Sequence, residues 1–106
     1  MILRFHPLAI KEFEKAIRWY QVRSSNAPWD FREEVDGVLA RILRGPLMFP
    51  AISDDFRGAV LQRFPYWVIF RLYEDSILIV AISHAKRRTG YWKRRSMPNP
   101  PASDVL

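Results

Sequence analysis

The feature that most constrains this chain is a change of hydrophobic period midway along it. In the first half Ile10, Phe13, Ile17 and Tyr20 recur at helical spacing, giving one apolar stripe over residues 7–23. Pro7 suits the first helical position, where its missing N–H would find no partner anyway, so His6 reads as the residue that leads into the helix. After the turn at Ser24–Pro28, Phe31, Val35, Val38, Leu39 and Ile42 share one face of a second helix. Gly45-Pro46 stops it, with glycine expected in the left-handed terminal conformation. Two amphipathic helices joined by a short polar turn pair as an antiparallel hairpin. From residue 57 the period falls to two. The segments 57–64, 66–73 and 77–83 are rich in β-branched and aromatic residues, and Pro65 and Glu74–Ser76 separate them. They predict an antiparallel meander of short strands. Ile2–Phe5 forms a further short strand, which must join that sheet because four residues cannot stand alone.

The expected fold class is therefore α+β: an N-terminal strand and a helical hairpin packed on one face of a small twisted antiparallel β-sheet. With 106 residues the chain is one domain, and its fifteen aromatics (7 Phe, 4 Trp, 4 Tyr) can fill a core. The folded unit is expected over residues 1–95. Residues 96–106, with three prolines and no aromatic, read as a flexible tail.

Alternation assigns the faces. In the middle strand Tyr66, Val68, Phe70 and Leu72 point one way, and Trp67, Ile69, Arg71 and Tyr73 the other. In the last strand Leu78, Val80 and Ile82 should oppose Ile77, Ile79 and Ala81. A helix pair covers only one face, so Trp67 and Ile69 are expected on an open apolar patch suited to a protein partner, with cover by the tail or an irregular loop as the alternative.

Several classes of function are excluded or disfavoured. The chain has no cysteine, which removes disulfides, thiolate catalysis and cysteine-ligated zinc. Two histidines without nearby carboxylate pairs give no metal site, and no glycine-rich phosphate loop or Ser-His-Asp set is present. No metal and no cofactor are expected. The N-terminus does not read as a secretory signal, and no apolar run is long enough to span a bilayer. A soluble cytoplasmic protein is expected.

Charge is the positive signal. Residues 1–55 carry eight basic and eight acidic side chains, whereas residues 56–106 carry nine and three, which accounts for the whole net charge of +6. Six of the ten residues from Lys86 to Arg95 are basic. Such a field favours nucleic acid, another polyanion or an acidic protein. The run His84, Lys86, Arg87, Arg88, Tyr91, Trp92 mixes cations with stacking surfaces, the combination nucleic acids use. Solvated cations with aromatics folded back on the sheet are the plainer alternative. Arg71, a charge inside YWVIFRLY, must face water, phosphate or a partner's carboxylate.

The order strand–helix–helix–strand–strand–strand with this basic aromatic end resembles the RelE/ParE toxin superfamily of bacterial toxin–antitoxin systems. The resemblance runs over residues 2–95, and its carriers are RFHPLAIKEFEKAIRWY, FREEVDGVLARILRGPLMFP, RFPYWVIFRLY and AISHAKRRTGYW. The resemblance implies a toxin neutralised by a cognate antitoxin. RelE-like members cut messenger RNA on the ribosome, and ParE-like members poison DNA gyrase. The nucleases carry an arginine directly after the tyrosine of the middle strand, where this chain has Trp67 after Tyr66. Lys86 and Arg87 match their basic pair after the last strand, and Tyr91 lies closer to Arg87 than their catalytic tyrosine. If the chain cut RNA, Arg87, Tyr91 and Arg71 would be the catalytic set. The pattern as a whole is closer to the ParE-like, plasmid-stabilisation branch. The expectation is thus a non-enzymatic gyrase inhibitor; a ribosome-dependent endoribonuclease and a non-toxic member that retains antitoxin binding are the alternatives. In each case Trp67, Ile69, Arg71, His84, Lys86, Arg87, Arg88, Tyr91 and Trp92 are the candidate binding residues.

Overall fold

A computed structural model describes residues 1–96. The expected tail therefore lies, from residue 97 onward, outside the described residues. The chain runs β1 (Ile2–Phe5), α1 (Pro7–Gln21), α2 (Ala27–Arg44), a 3-10 turn at Pro46–Met48, β2 (Ala51–Ser53), β3 (Phe56–Val60), β4 (Tyr66–Leu72) and β5 (Ser76–His84). The five strands form one sheet in the order β1-β5-β4-β3-β2. β2 to β5 are antiparallel to their neighbours, and β1 joins the edge of β5 in parallel. The helical hairpin on a mostly antiparallel sheet matches the fold class that the change of period predicts.

α1 and α2 cover one face. Phe31 of α2 is fully buried at the centre, ringed by Phe13 and Tyr20 of α1, Phe64 of the β3–β4 turn and Tyr66 of β4 at centroid distances of 5.2–5.7 Å. Aromatic rings in such tilted and edge contacts add to the plain burial of their area. Glu34, also from α2, accepts the backbone N–H groups of Gln62 and Arg63 and holds the β3–β4 turn against the helix.

Several expectations need correction. The sheet has one more strand than the meander predicts, because Ala51–Ser53 pairs with β3 across a register irregularity. β3 ends at Val60 rather than 64; Gln62 and Arg63 turn out to meet Glu34. Gly45 has φ −155° and is not left-handed. Its lack of a side chain matters for another reason, since a Cβ there would lie 2.9 Å from Met48 Sδ.

The largest correction concerns faces. Ile69 pairs with Ala81 but Phe70 pairs with Ile79, so Val80 is an extra residue in β5. This bulge breaks the alternation. Ile77, Ile79 and Ile82 face the helices together with Val68 and Phe70. Leu78, Val80 and Ala81 face away with Ile69. The second face is not an open patch either. Trp92, 2% exposed, packs on it against Phe56 at 4.8 Å between centroids, and Ile69 is likewise 2% exposed. Trp67, Tyr73, Ile52 and Tyr91 fill in around them, partly buried.

Candidate functional site

The site begins where β1 runs out. β1 pairs with β5 only as far as Phe5 and Ile79, and the His6 N–H donates the last bond of that edge to the Ile79 carbonyl at 2.9 Å. Beyond it the edge of β5 would be bare, and unpaired strand edges are costly when partly buried. A carboxylate closes it. Glu12 projects from α1 between Ala9 and Ala16, both buried, and its Oε1 accepts the Ile82 N–H at 3.0 Å.

The segment after β5 returns to the same carboxylate. Residues 84–95 form a string of tight turns, with N–H groups of Arg87, Tyr91, Lys93 and Arg95 donating three residues back. Gly90 sits at φ +90°, a conformation that L side chains rarely adopt. The string places Trp92 on the outer face of the sheet and brings Tyr91 and Arg95 round the edge of β5. Tyr91 Oη donates to Glu12 Oε2 at 2.7 Å. The Arg95 guanidinium spans both Glu12 oxygens at 3.0 Å and also donates to the Val80 carbonyl at 3.0 Å. Arg87 Nη1 reaches Glu12 Oε2 at 3.3 Å, with its guanidinium stacked 3.6 Å over the Tyr91 ring. Glu12 thus accepts five hydrogen bonds. Glu12 and Arg95 are 13% and 12% exposed, so theirs is a shielded, two-pronged pair; Arg87, at 53%, is the loose partner. Burial pushes the Tyr91 phenol above its ordinary pKa, and the Glu12 carboxylate beside it acts in the same direction. Tyr91 therefore keeps its proton and serves as a donor.

The predicted residues separate into three places. Arg87, Tyr91 and His84 come together near Glu12. His84 accepts the Lys86 N–H on Nδ1 at 3.0 Å, which leaves Nε2 to carry the ring proton in the neutral form, and its ring lies edge-on to Tyr66 at 5.0 Å. Lys86 and Arg88 are exposed beside them. Ile69 and Trp92 are buried in the outer-face cluster, with Trp67 at its margin, so they build the fold instead of offering a free surface. Arg71 stands apart. It pairs with Asp55 at 3.4 Å and lies over Phe56 and Tyr73. Tyr66 is opposite His84 and Arg71 opposite Leu78, so five strand residues, about 16 Å, divide Arg71 from the Arg87 end. The set Arg87, Tyr91, Arg71 is not assembled.

Sequence reading missed Glu12, the hub of the site, and Arg95, its main partner. An acidic residue set between the small and apolar positions 9, 13 and 16 was the available signal. A groove of about 350 Å³ opens beside this hub, between α1 and the ends of β4 and β5, with Lys15, Trp19, Tyr20, Tyr66, His84 and Arg87 around it.

The model of the ParE toxin of type II toxin–antitoxin systems (parDE) matches residues 3–89. The chain belongs to the ParE toxin family. No curated protein sequence matches it. Among solved structures this ParE-family chain is similar to one described as the chromosomal ParDE toxin–antitoxin system from P. aeruginosa. The two share 17% identity and a TM-score of 0.72, over 81% of this chain and 97% of the other. It is also similar to the isolated E. coli RelE toxin, at 18% identity and a TM-score of 0.59, over 87% and 92% of the two chains. At these identities the likeness is one of fold. Membership of the family makes this chain a type II toxin, and a toxin of that type implies a cognate antitoxin. No helix among the described residues is long and apolar enough to cross a membrane.

Proposed function

We propose that this ParE-family toxin acts by binding DNA gyrase, without cutting RNA, and that its antitoxin silences it by direct contact. The observation that carries this reading is how the would-be catalytic groups are engaged. RNA cleavage needs one group to orient the 2′-hydroxyl, another to stabilise the crowded phosphate and a third to protonate the leaving oxygen. Tyr91 spends its O–H on a hydrogen bond to Glu12 and holds its proton more tightly than a free phenol. Arg71 is paired with Asp55 at the far end of β4, and Trp67 occupies the position where nucleases of the superfamily carry an arginine. Losing one preorganised transition-state donor typically costs about 10²–10³ in rate, and here more than one is diverted.

The surface left for a target is the exposed cationic turn of Lys86, Arg87 and Arg88. Cations of this kind steer and orient an acidic partner more than they add affinity. Induced expression should arrest growth with filamentation and an SOS response, and the purified protein should inhibit gyrase supercoiling. The double substitution Lys86→Glu with Arg88→Glu should weaken that inhibition about tenfold or more. Messenger RNA cut within translated codons on ribosomes, and protected by Arg87→Ala, would overturn the proposal in favour of the endoribonuclease.

A further inference from the structure

The groove beside Glu12 combines apolar walls with a surplus of donors. Trp19, half exposed, together with Tyr20 and Tyr66, forms its walls. Burial raises the pKa of both tyrosines above the ordinary phenol value, so their hydroxyls stay protonated. Among the described residues neither hydroxyl has a hydrogen-bond acceptor and Lys15 has no ion-pair partner. The His84 ring presents Nε2 to the groove side as its donor, since Nδ1 accepts the Lys86 N–H. The one acidic group, Glu12, is already saturated. Arg95 alone neutralises it through two bonds, so Arg87 and Lys15 leave two positive charges in excess at the groove.

We infer that this groove is the docking site for a carboxylate-bearing, otherwise apolar segment of the antitoxin, whose acidic side chain takes Arg87 and Lys15 while its apolar neighbours rest on Trp19 and Tyr66. The inference rests on the toxin–antitoxin reading and adds the place and chemistry of the contact. A protein segment fits better than nucleic acid. A duplex carries a negative charge for about every 1.7 Å of its axis, and its backbone would meet the Glu12 carboxylate between only two cations. One carboxylate flanked by apolar side chains meets two cations and three aromatic walls, and lowers the groove's excess charge from two to one. Arg87 is suited to the exchange because its bond to Glu12 is the longest of that cluster and its side chain is exposed, so it can turn to a partner while Arg95 keeps Glu12 satisfied. Occupancy of the groove would then withdraw Arg87 from the cationic turn proposed to meet gyrase, giving one residue a part in both toxicity and neutralisation.

The test uses the full chain and its full-length cognate antitoxin, with affinity measured by calorimetry for the parent and for Lys15→Glu, Trp19→Ala and Lys93→Glu. All three positions are exposed, and matched melting temperatures control for folding. Lys15→Glu and Trp19→Ala should each weaken binding about tenfold or more, and Lys93→Glu less than about threefold. Amide and indole NMR shifts on adding antitoxin should centre on Lys15, Trp19 and His84. Binding that persists unchanged in Lys15→Glu and Trp19→Ala, with shifts elsewhere, would overturn the groove and leave the toxin–antitoxin reading intact. No binding by the parent would overturn that reading, and the groove with it. Shifts at the groove caused by a 20-base-pair DNA duplex and not by antitoxin would overturn it in favour of nucleic acid.

Discussion

A single carboxylate holds together parts of this chain that are seventy or more residues apart in sequence: Glu12 bonds to Ile82, Arg87, Tyr91 and Arg95. Its energetic weight comes from shielding. Exposed ion pairs contribute little, but removing one partner of a buried pair leaves an uncompensated charge and costs about 3–5 kcal/mol. Glu12→Ala strands both the Arg95 guanidinium and the Ile82 N–H, so unfolding in urea should show a loss near the lower end of that range. Glu12→Gln keeps one acceptor oxygen for the backbone and should lose clearly less. Equal losses for the two substitutions would mean that charge plays no part in the hub.

At the scale of elements, α1 depends on an unusual cap. His6 accepts the Leu8 N–H on Nδ1 at 3.1 Å, directly before Pro7 opens the helix. Only the neutral ring can accept that bond. Burial lowers the His6 pKa, the nearby Arg95 charge lowers it further, and Glu12 partly opposes them. A base whose pKa is lower folded than unfolded binds protons more readily when unfolded. Its stabilisation is therefore complete above about pH 6.5 and is lost as pH falls through 6.5 toward the folded value. His6→Asn supplies a cap acceptor that does not titrate. Melting between pH 7.5 and 5 should drop less in His6→Asn than in the parent; parallel curves would show that His6 does not set the acid sensitivity. The other decisive element is β5, where the Val80 bulge lets hydrophobic residues serve two cores at once.

Considered as a whole, the molecule is three layers: the helical hairpin, the sheet and the turn segment that seals the outer face. Trp92 closes that third layer from a stretch that carries six cations among ten residues. Trp92→Ala should cost about 3–5 kcal/mol, as for other large aromatic truncations in a core. It should also uncover Leu78, Val80 and Ile69, so the variant is expected to self-associate more strongly than the parent in sedimentation experiments. A fully stable monomeric Trp92→Ala protein would show that the turn segment is an ornament on a two-layer fold.

The helices and most of the strands were legible in the sequence because each depends on local spacing: period 3.6 through residues 7–44 and alternation from 57 onward. The family resemblance was legible too, from the order of those pieces and the basic aromatic end. Three things were not. The faces of β5 depend on a bulge whose register is set by pairing with β4, so alternation counted along one strand exchanged Ala81 and Ile82 between the faces while grouping Ile77 with Ile79 and Leu78 with Val80 correctly. The fate of the outer face depended on where Trp92 would land after a turn through Gly90, a matter of chain direction that composition does not carry. The hub at Glu12 needed α1, the end of β1 and the last turns of the chain in one place. Spacing along a helix or strand specifies which residues share a face. Which carboxylate meets which cation across seventy residues is settled only when the bare edge of β5 has to be satisfied.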